Sequence, residues 1–153
     1  MLSTTSLLPK LRTNHPDLTF TSGDDFRWSP DSQTVYFIPD SPDVATLLHE
    51  LAHAVLGHAD YTRDITLLGM EQDAWQYAVE TIAPTYDLEI DDETVQTALD
   101  TYRDWLHARS LCPNCGATGL QTKKREYKCP ACGQHWRVNE ARLCALRRYK
   151  LNT

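Results

Sequence analysis

No apolar run in the chain approaches the roughly 20 residues that a membrane span requires. Its opening, Met1-Leu2-Ser3-Thr4-Thr5-Ser6-Leu7-Leu8-Pro9, has neither the basic start nor the apolar stretch of a secretory signal. The expectation is a cytoplasmic protein with no membrane partner. Cysteine is absent from the first 111 residues, which excludes a disulfide framework there. There is no low-complexity stretch and no repeat except Cys-Pro-x-Cys-Gly, which occurs at 112–116 and again at 129–133. With 41% hydrophobic and 24% charged residues, collagen-like, coiled-coil and wholly disordered readings are excluded. A chain of 153 residues buries roughly 68–70% of its unfolded surface, enough for a core without staples.

Charge is divided unevenly. Residues 1–105 carry five Lys/Arg against 19 Asp/Glu, whereas residues 106–153 carry ten Lys/Arg against two Glu. An acidic front and a basic tail suggest two modules. Between Phe26-Arg27-Trp28 and Val35-Tyr36-Phe37-Ile38 lies Ser29-Pro30-Asp31-Ser32, turn chemistry joining two strands. Ser41-Pro42-Asp43 starts a helix that Gly57 stops. Further helices are expected over Asp64–Ala83, ended by Pro84, and from Asp91-Asp92-Glu93 through Leu106. Residues 1–25 read as a lead-in with one short helix around Ser6–Thr13. In the tail, Gln134–Val138 reads as a strand, and Asn139 as the cap of a helix through Tyr149 that holds Cys144.

The most informative segment is His49-Glu50-Leu51-Ala52-His53. On a helix, residues four apart lie about 40° apart around the axis, so both imidazoles offer a nitrogen to one ion. Glu50 stands beside them, where a base for a water molecule is needed. A chain of this composition yields roughly 0.01 such matches by accident. Val44, Ala45, Leu47, Leu48, Leu51, Ala52, Val55 and Leu56 make the helix apolar on nearly every side, leaving Thr46, His49, Glu50 and His53 as its polar stripe. A buried stripe of that kind needs a partner.

Two histidines leave a catalytic zinc one protein ligand short. The candidates downstream are His58, Asp60, Asp64, Glu71, Asp73 and Glu80. His58 would sit about 140° from His53 on a continued helix. Glu71 is best placed, as the one charged member of the stripe Leu67, Leu68, Glu71, Ala74, Trp75, Ala78, Ile82, in which the alanines allow close helix approach. His58 stays open as the alternative.

The run His49-Glu50-Leu51-Ala52-His53-Ala54-Val55-Leu56-Gly57-His58, followed by Glu71-Gln72-Asp73-Ala74-Trp75-Gln76-Tyr77-Ala78, resembles the ImmA/IrrE family of small zinc metallo-endopeptidases over roughly residues 35–84. The resemblance implies that His49, His53 and Glu71 bind zinc, that Glu50 is the catalytic base, and that transcriptional repressors are a candidate substrate class, with other DNA-associated proteins suggested by the SprT/Spartan-like group that also pairs this motif with a zinc ribbon. Members commonly carry Asp or Asn where this chain has Trp75. A second resemblance, to the SprT/Spartan-like group, joins His-Glu-x-x-His to a C-terminal zinc ribbon. That group takes its third ligand from a later histidine, and nothing suitable follows here until His107. Metzincins are excluded, because Ala59 stands where their third histidine belongs.

Cys112-Pro113-Asn114-Cys115-Gly116 and Cys129-Pro130-Ala131-Cys132-Gly133 are separated by the 13 residues from Gly116 to Lys128. Two such knuckles complete a tetrahedral four-thiolate site for structural zinc. The stretch Lys123-Lys124-Arg125 between them suggests contact with DNA, a protein partner, or the chain's own acidic part. The expected fold is therefore α+β: a lead-in over 1–25, a zincin-like metallopeptidase core of helices and a short antiparallel sheet over 26–108, and a zinc ribbon with a basic C-terminal helix over 109–153. Two zinc ions per chain are expected, one catalytic and one structural. The reading is a zinc-dependent endopeptidase acting on a protein substrate, held by strand addition near Val35–Ile38, with His58, Tyr61, Tyr77 or Tyr86 at the oxyanion. The competing reading is a non-enzymatic zinc-ribbon adaptor for nucleic acid or protein.

Overall fold

The computed structural model describes residues 2–141 and 145–152. The protein is α+β and divides into two compact units, Met1–Asp60 with Met70–Val95, and Tyr61–Gly69 with Gln96–Thr153.

The first unit begins with α1 (Thr4–Asn14). Its start is fixed by a reciprocal cap in which the Ser6 backbone N–H donates to Ser3 Oγ (3.1 Å) and the Ser3 N–H donates to Ser6 Oγ (2.8 Å). Three short strands follow, β1 (Thr19–Ser22), β2 (Arg27–Ser29) and β3 (Thr34–Phe37), in the order β1-β3-β2. The expected pairing of β2 with β3 is present and antiparallel, with Trp28 opposite Val35. β1 runs parallel to β3 with Phe20 opposite Val35, and its four residues carry too little pattern to be legible beforehand. Residues 1–25 are therefore no separate lead-in, since Leu7, Leu8, Leu11 and Phe20 are core residues of this unit. Substrate addition to the sheet at Val35–Ile38 is also ruled out. β3 is the central strand and both its edges are taken, so only β1 and β2 offer an open edge.

α2 (Val44–Leu56) is capped by Asp43, the last residue of the expected Ser41-Pro42-Asp43 start. The Asp43 carboxylate accepts from the Thr46 N–H (3.1 Å) and the Thr46 hydroxyl (2.6 Å). Gly57 closes the helix at φ +70°, a left-handed conformation that glycine adopts without penalty. α3 (Asp64–Tyr77) runs into a π-helical turn (Ala78–Ile82) and the short α4 (Ala83–Thr85). Pro84 does not end this run. It sits in the first turn of α4, where its missing N–H costs little. Leu47, Leu48, Leu51 and Ala52 of α2 join Ala74, Ala78, Ile82 and Ala83 in the core of this unit.

The second unit holds most of α5 (Asp92–Ser110) and the antiparallel sheet β4 (Leu120–Lys123), β5 (Glu126–Lys128), β6 (His135–Val138), β7 (Arg148–Leu151), ordered β4-β5-β6-β7. Among the described residues the expected closing helix through Tyr149 is not formed. Arg148–Leu151 is a strand paired with β6, and Asn139, in place of capping a helix, accepts from the Arg147 N–H and donates to the Ala145 carbonyl, both at 3.0 Å. Cys144 lies outside the described residues. The core of this unit is Cys112, Tyr127, Cys129, Trp136 and Val138. Gly119 lies so close to Trp136 that a Cβ there would overlap the indole ring.

Beside that core is a buried polar cluster. Arg109 Nε donates to Asp64 Oδ2 (2.9 Å), and the Tyr127 hydroxyl donates to the same oxygen. The guanidinium also reaches the Asn139 carbonyl (3.2 Å) and lies 4.3 Å from the Trp105 ring centre, while Trp136 Nε1 donates to the Arg109 carbonyl (3.0 Å). Both charged side chains are at most 3% exposed. Removing one partner of such a pair strands the other charge without water. Arg109→Met should therefore destabilise this unit by about 3–5 kcal/mol, whereas Asp64→Leu combined with Arg109→Met should recover much of the loss. Urea unfolding of the three proteins checks this.

Candidate metal centre

α2 places His49 and His53 on one face and α3 brings Glu71 to them. His49 Nε2 is 2.7 Å from Glu71 Oε2, His53 Nε2 is 3.2 Å from Glu71 Oε1, and the two Nε2 atoms are 3.1 Å apart. All three residues are buried, and their donor atoms lie within 4.8 Å of one another. Two imidazole nitrogens and a carboxylate on one point form a group that can hold a metal ion. Burial raises the Glu71 pKa, but hydrogen bonds from both histidines outweigh it and hold the carboxyl at about 2. Burial depresses His49 despite the adjacent carboxylate.

The far sides of the two imidazoles differ. His53 Nδ1 is 2.8 Å from His58 Nδ1. The His58 backbone is held by its own N–H to the His53 carbonyl (3.0 Å) and by Trp28 Nε1, which donates to the His58 carbonyl (2.8 Å). His49 has no such support. Its ring stacks on Trp75 with centres 4.2 Å apart and planes at 14°, and its Nδ1 is buried without a hydrogen-bond partner.

This asymmetry bears on loading. With Glu71 accepting from both Nε2–H groups, each Nδ1 is bare. An ion needs the Nε2 lone pairs, which moves each proton to Nδ1. At His53 that proton finds an acceptor in His58 Nδ1, because His58 donates in one state and accepts in the other. At His49 the new N–H finds no acceptor among the described residues, a penalty of about 1–3 kcal/mol. The donor set fits a metal, with one imidazole held by a hydrogen bond and the other by a ring face.

Glu50, partly buried one position after His49, has its pKa raised to about 7, chiefly by desolvation, with opposing pulls from His53 and a Trp28 backbone hydrogen bond. A carboxyl in that range takes and returns a proton near neutrality. Trp28 thus holds Glu50 through its backbone and His58 through its indole, and no sequence signal marked it.

The remaining candidates fall elsewhere. His58 is behind His53 and not a third ligand beside it. Asp64 is committed to Arg109 and Tyr127. Tyr86 receives a hydrogen bond from Asn14 Nδ2 (2.8 Å), and Tyr77 packs against the first core. Tyr61 belongs to the second unit, where Lys124 Nζ lies 5.9 Å from its ring centre. Of the basic cluster, Lys123 pairs with the half-buried Glu126 (3.7 Å) and Arg125 with the exposed Glu140 (3.4 Å).

In the second unit Cys112, Cys115, Cys129 and Cys132 converge. Sγ–Sγ separations of 3.6 Å (Cys112–Cys132) and 3.5 Å (Cys115–Cys129) approach the edge of about 3.8 Å that 2.3 Å Zn–S bonds would give a tetrahedron. Each knuckle closes with a glycine N–H donating to the first cysteine's carbonyl at 2.9 Å, Gly116 to Cys112 and Gly133 to Cys129, both glycines at φ +79°. The backbone N–H of Gln134 and the amide of Asn114 draw Cys132 down to about 6, and the Cys132 N–H lowers Cys129. At Cys115 the Ala117 N–H pulls down, but the surrounding thiols push it up to about 11. The arrangement is compatible with a zinc ribbon and can hold a metal ion.

Replacing His58 with Ala should weaken metal binding at the histidine centre by about 10–100-fold, with Asn at that position restoring part of it through its side-chain oxygen. Competition with a chromophoric chelator measures this. Elemental analysis should give one metal fewer per chain for Cys129→Ser, and likewise for His49→Ala. Comparison with known proteins gives no match to any family model, to any curated protein or to any solved structure.

Proposed function

We propose that this protein is a zinc-dependent endopeptidase of the ImmA/IrrE type with a zincin-like core, acting on a protein substrate such as a transcriptional repressor or another DNA-associated protein. The observation that carries the reading is the convergence of His49 Nε2, His53 Nε2 and the Glu71 carboxylate within 4.8 Å, with Glu50 next to His49 in the chain. Three protein ligands leave a coordination position open, the arrangement of catalytic rather than structural zinc. The four-cysteine cluster is the structural counterpart, its ligand shell complete. An ion at the histidine centre supplies, when bound, Lewis acidity toward a carbonyl oxygen and acidification of water.

The chain's own residues do the rest. Glu50 takes the proton of the attacking water and passes it to the leaving amine, microscopic roles suited to a carboxyl near neutral pKa. His58 and Trp75 fix the two ligand rings. An extended substrate has β1 and β2 as the available sheet edges.

The adaptor reading draws on the exposed turn at Lys124 and Arg125, between β4 and β5, as a contact for DNA. The ion pairs of Lys123 and Arg125 with Glu126 and Glu140 count against it. Glu50→Gln separates the two readings. The variant should keep both metals and the fold yet lose at least about 100-fold in cleavage of repressor substrates or of proteins in a lysate. Unchanged processing would refute the peptidase, and an absence of cleavage by the parent protein would favour the adaptor.

A further inference from the structure

The second unit contains a groove of about 670 Å³ that neither metal cluster uses, a size within the roughly 300–1,000 Å³ of ligand-binding clefts. Its apolar lining comes from Ile65 and Leu68 at the start of α3, Leu106 of α5 and Leu120 of β4. Ile65 and Leu120 are 61% and 65% exposed, the two most exposed large hydrophobic residues among those described, and both line this groove. Aliphatic side chains concentrated in one concavity mark an interaction site.

Charge narrows the occupant. The lining includes Arg63, Arg103 and His107 and no carboxylate. Arg63 donates one N–H to the Gln121 carbonyl (2.8 Å) and has no carboxylate paired with it among the described residues, while Arg103 is balanced in part by Asp100 (3.0 Å). The wider field has the same sign, since residues 61–69 and 96–153 carry twelve Lys/Arg against five Asp/Glu. A basic rim over an aliphatic floor complements a peptide with acidic and aliphatic side chains. Nucleic acid is disfavoured. Base recognition without sequence preference uses runs of exposed aromatic faces, and the described lining offers one small imidazole, His107, since Tyr127 is buried with its hydroxyl committed to Asp64.

We propose that this groove docks an acidic amphipathic segment of a partner protein, with aliphatic side chains on Ile65, Leu68, Leu106 and Leu120 and carboxylates on Arg63 and Arg103. Docking is independent of hydrolysis, so it stands whether or not the histidine centre cleaves anything.

The test uses the full metal-loaded chain carrying Glu50→Gln, which prevents loss of bound peptide to cleavage. A displayed library of random 16-residue peptides is selected on it, and enriched peptides are resynthesised with a fluorophore for anisotropy. The expected outcome is enrichment in Asp and Glu together with Leu, Ile or Phe, with Kd raised at least about tenfold by Ile65→Glu combined with Leu120→Glu and raised also by Arg103→Glu. Both apolar positions are exposed, and unchanged circular dichroism and metal content verify that the variants fold. The proposal is overturned if selection enriches nothing or favours basic peptides, or if the variants bind as tightly as the parent. It is equally overturned if a single-stranded 20-mer oligonucleotide, and no peptide, binds in a manner sensitive to Leu120→Glu.

Discussion

A carboxylate buried between two imidazoles is the constraint from which the arrangement of the first unit follows. Glu71 is 5% exposed, with no lysine or arginine paired to it among the described residues. A bare charge in such surroundings is far too unfavourable to persist, so the side chain must be met by donors or by an ion. His49 and His53 supply the donors, and they reach it because α2 packs through small residues against the end of α3 and the π-helical turn that continues it. Ala52, Ala74 and Ala78 are fully buried in the shared core, where larger side chains would hold the helices apart. The apolar surface that makes the carboxylate costly to bury would also strengthen its hold on a cation.

Support for the two histidines comes from different kinds of force. A hydrogen bond fixes a tautomer as well as an orientation, whereas a stacked indole fixes orientation alone. Trp75 therefore holds the His49 ring in place without choosing which nitrogen carries the proton. His58 orients the His53 ring and serves either of its tautomers, and is itself tied down by Trp28, which also reaches Glu50. The candidate site is consequently a property of three segments distant in sequence, β2, the end of α2 and the middle of α3.

Local chemistry made much of this legible. The i, i+4 histidines, the lone charge in the α3 stripe and the paired Cys-x-x-Cys knuckles are short-range patterns, and each brought together residues that the fold also brings together. What stayed hidden depends on partners far away in the chain. Thr19–Ser22 becomes a strand because β3 is there to receive it, and Arg148–Leu151 because β6 is. Pro84 stops no helix, because a π-helical turn precedes it and a new turn starts at Ala83. Asp64 read as a possible ligand, since nothing local announces that Arg109 and Tyr127 will claim it. Trp28 carried no signal at all, its role resting on two hydrogen bonds to residues more than twenty positions away.

The geometry of the cysteine knuckles has a redox consequence. Sulfur contacts of 3.6 and 3.5 Å run between knuckles, Cys112 to Cys132 and Cys115 to Cys129. A bound cation keeps such sulfurs as spectators. Stripped of it under an oxidant, they would couple across the module, with the acidified Cys132 as the attacking thiolate. Demetallation and oxidation would then be successive steps of one process, leaving the two turns sewn to each other and closed to reloading until a reductant intervened.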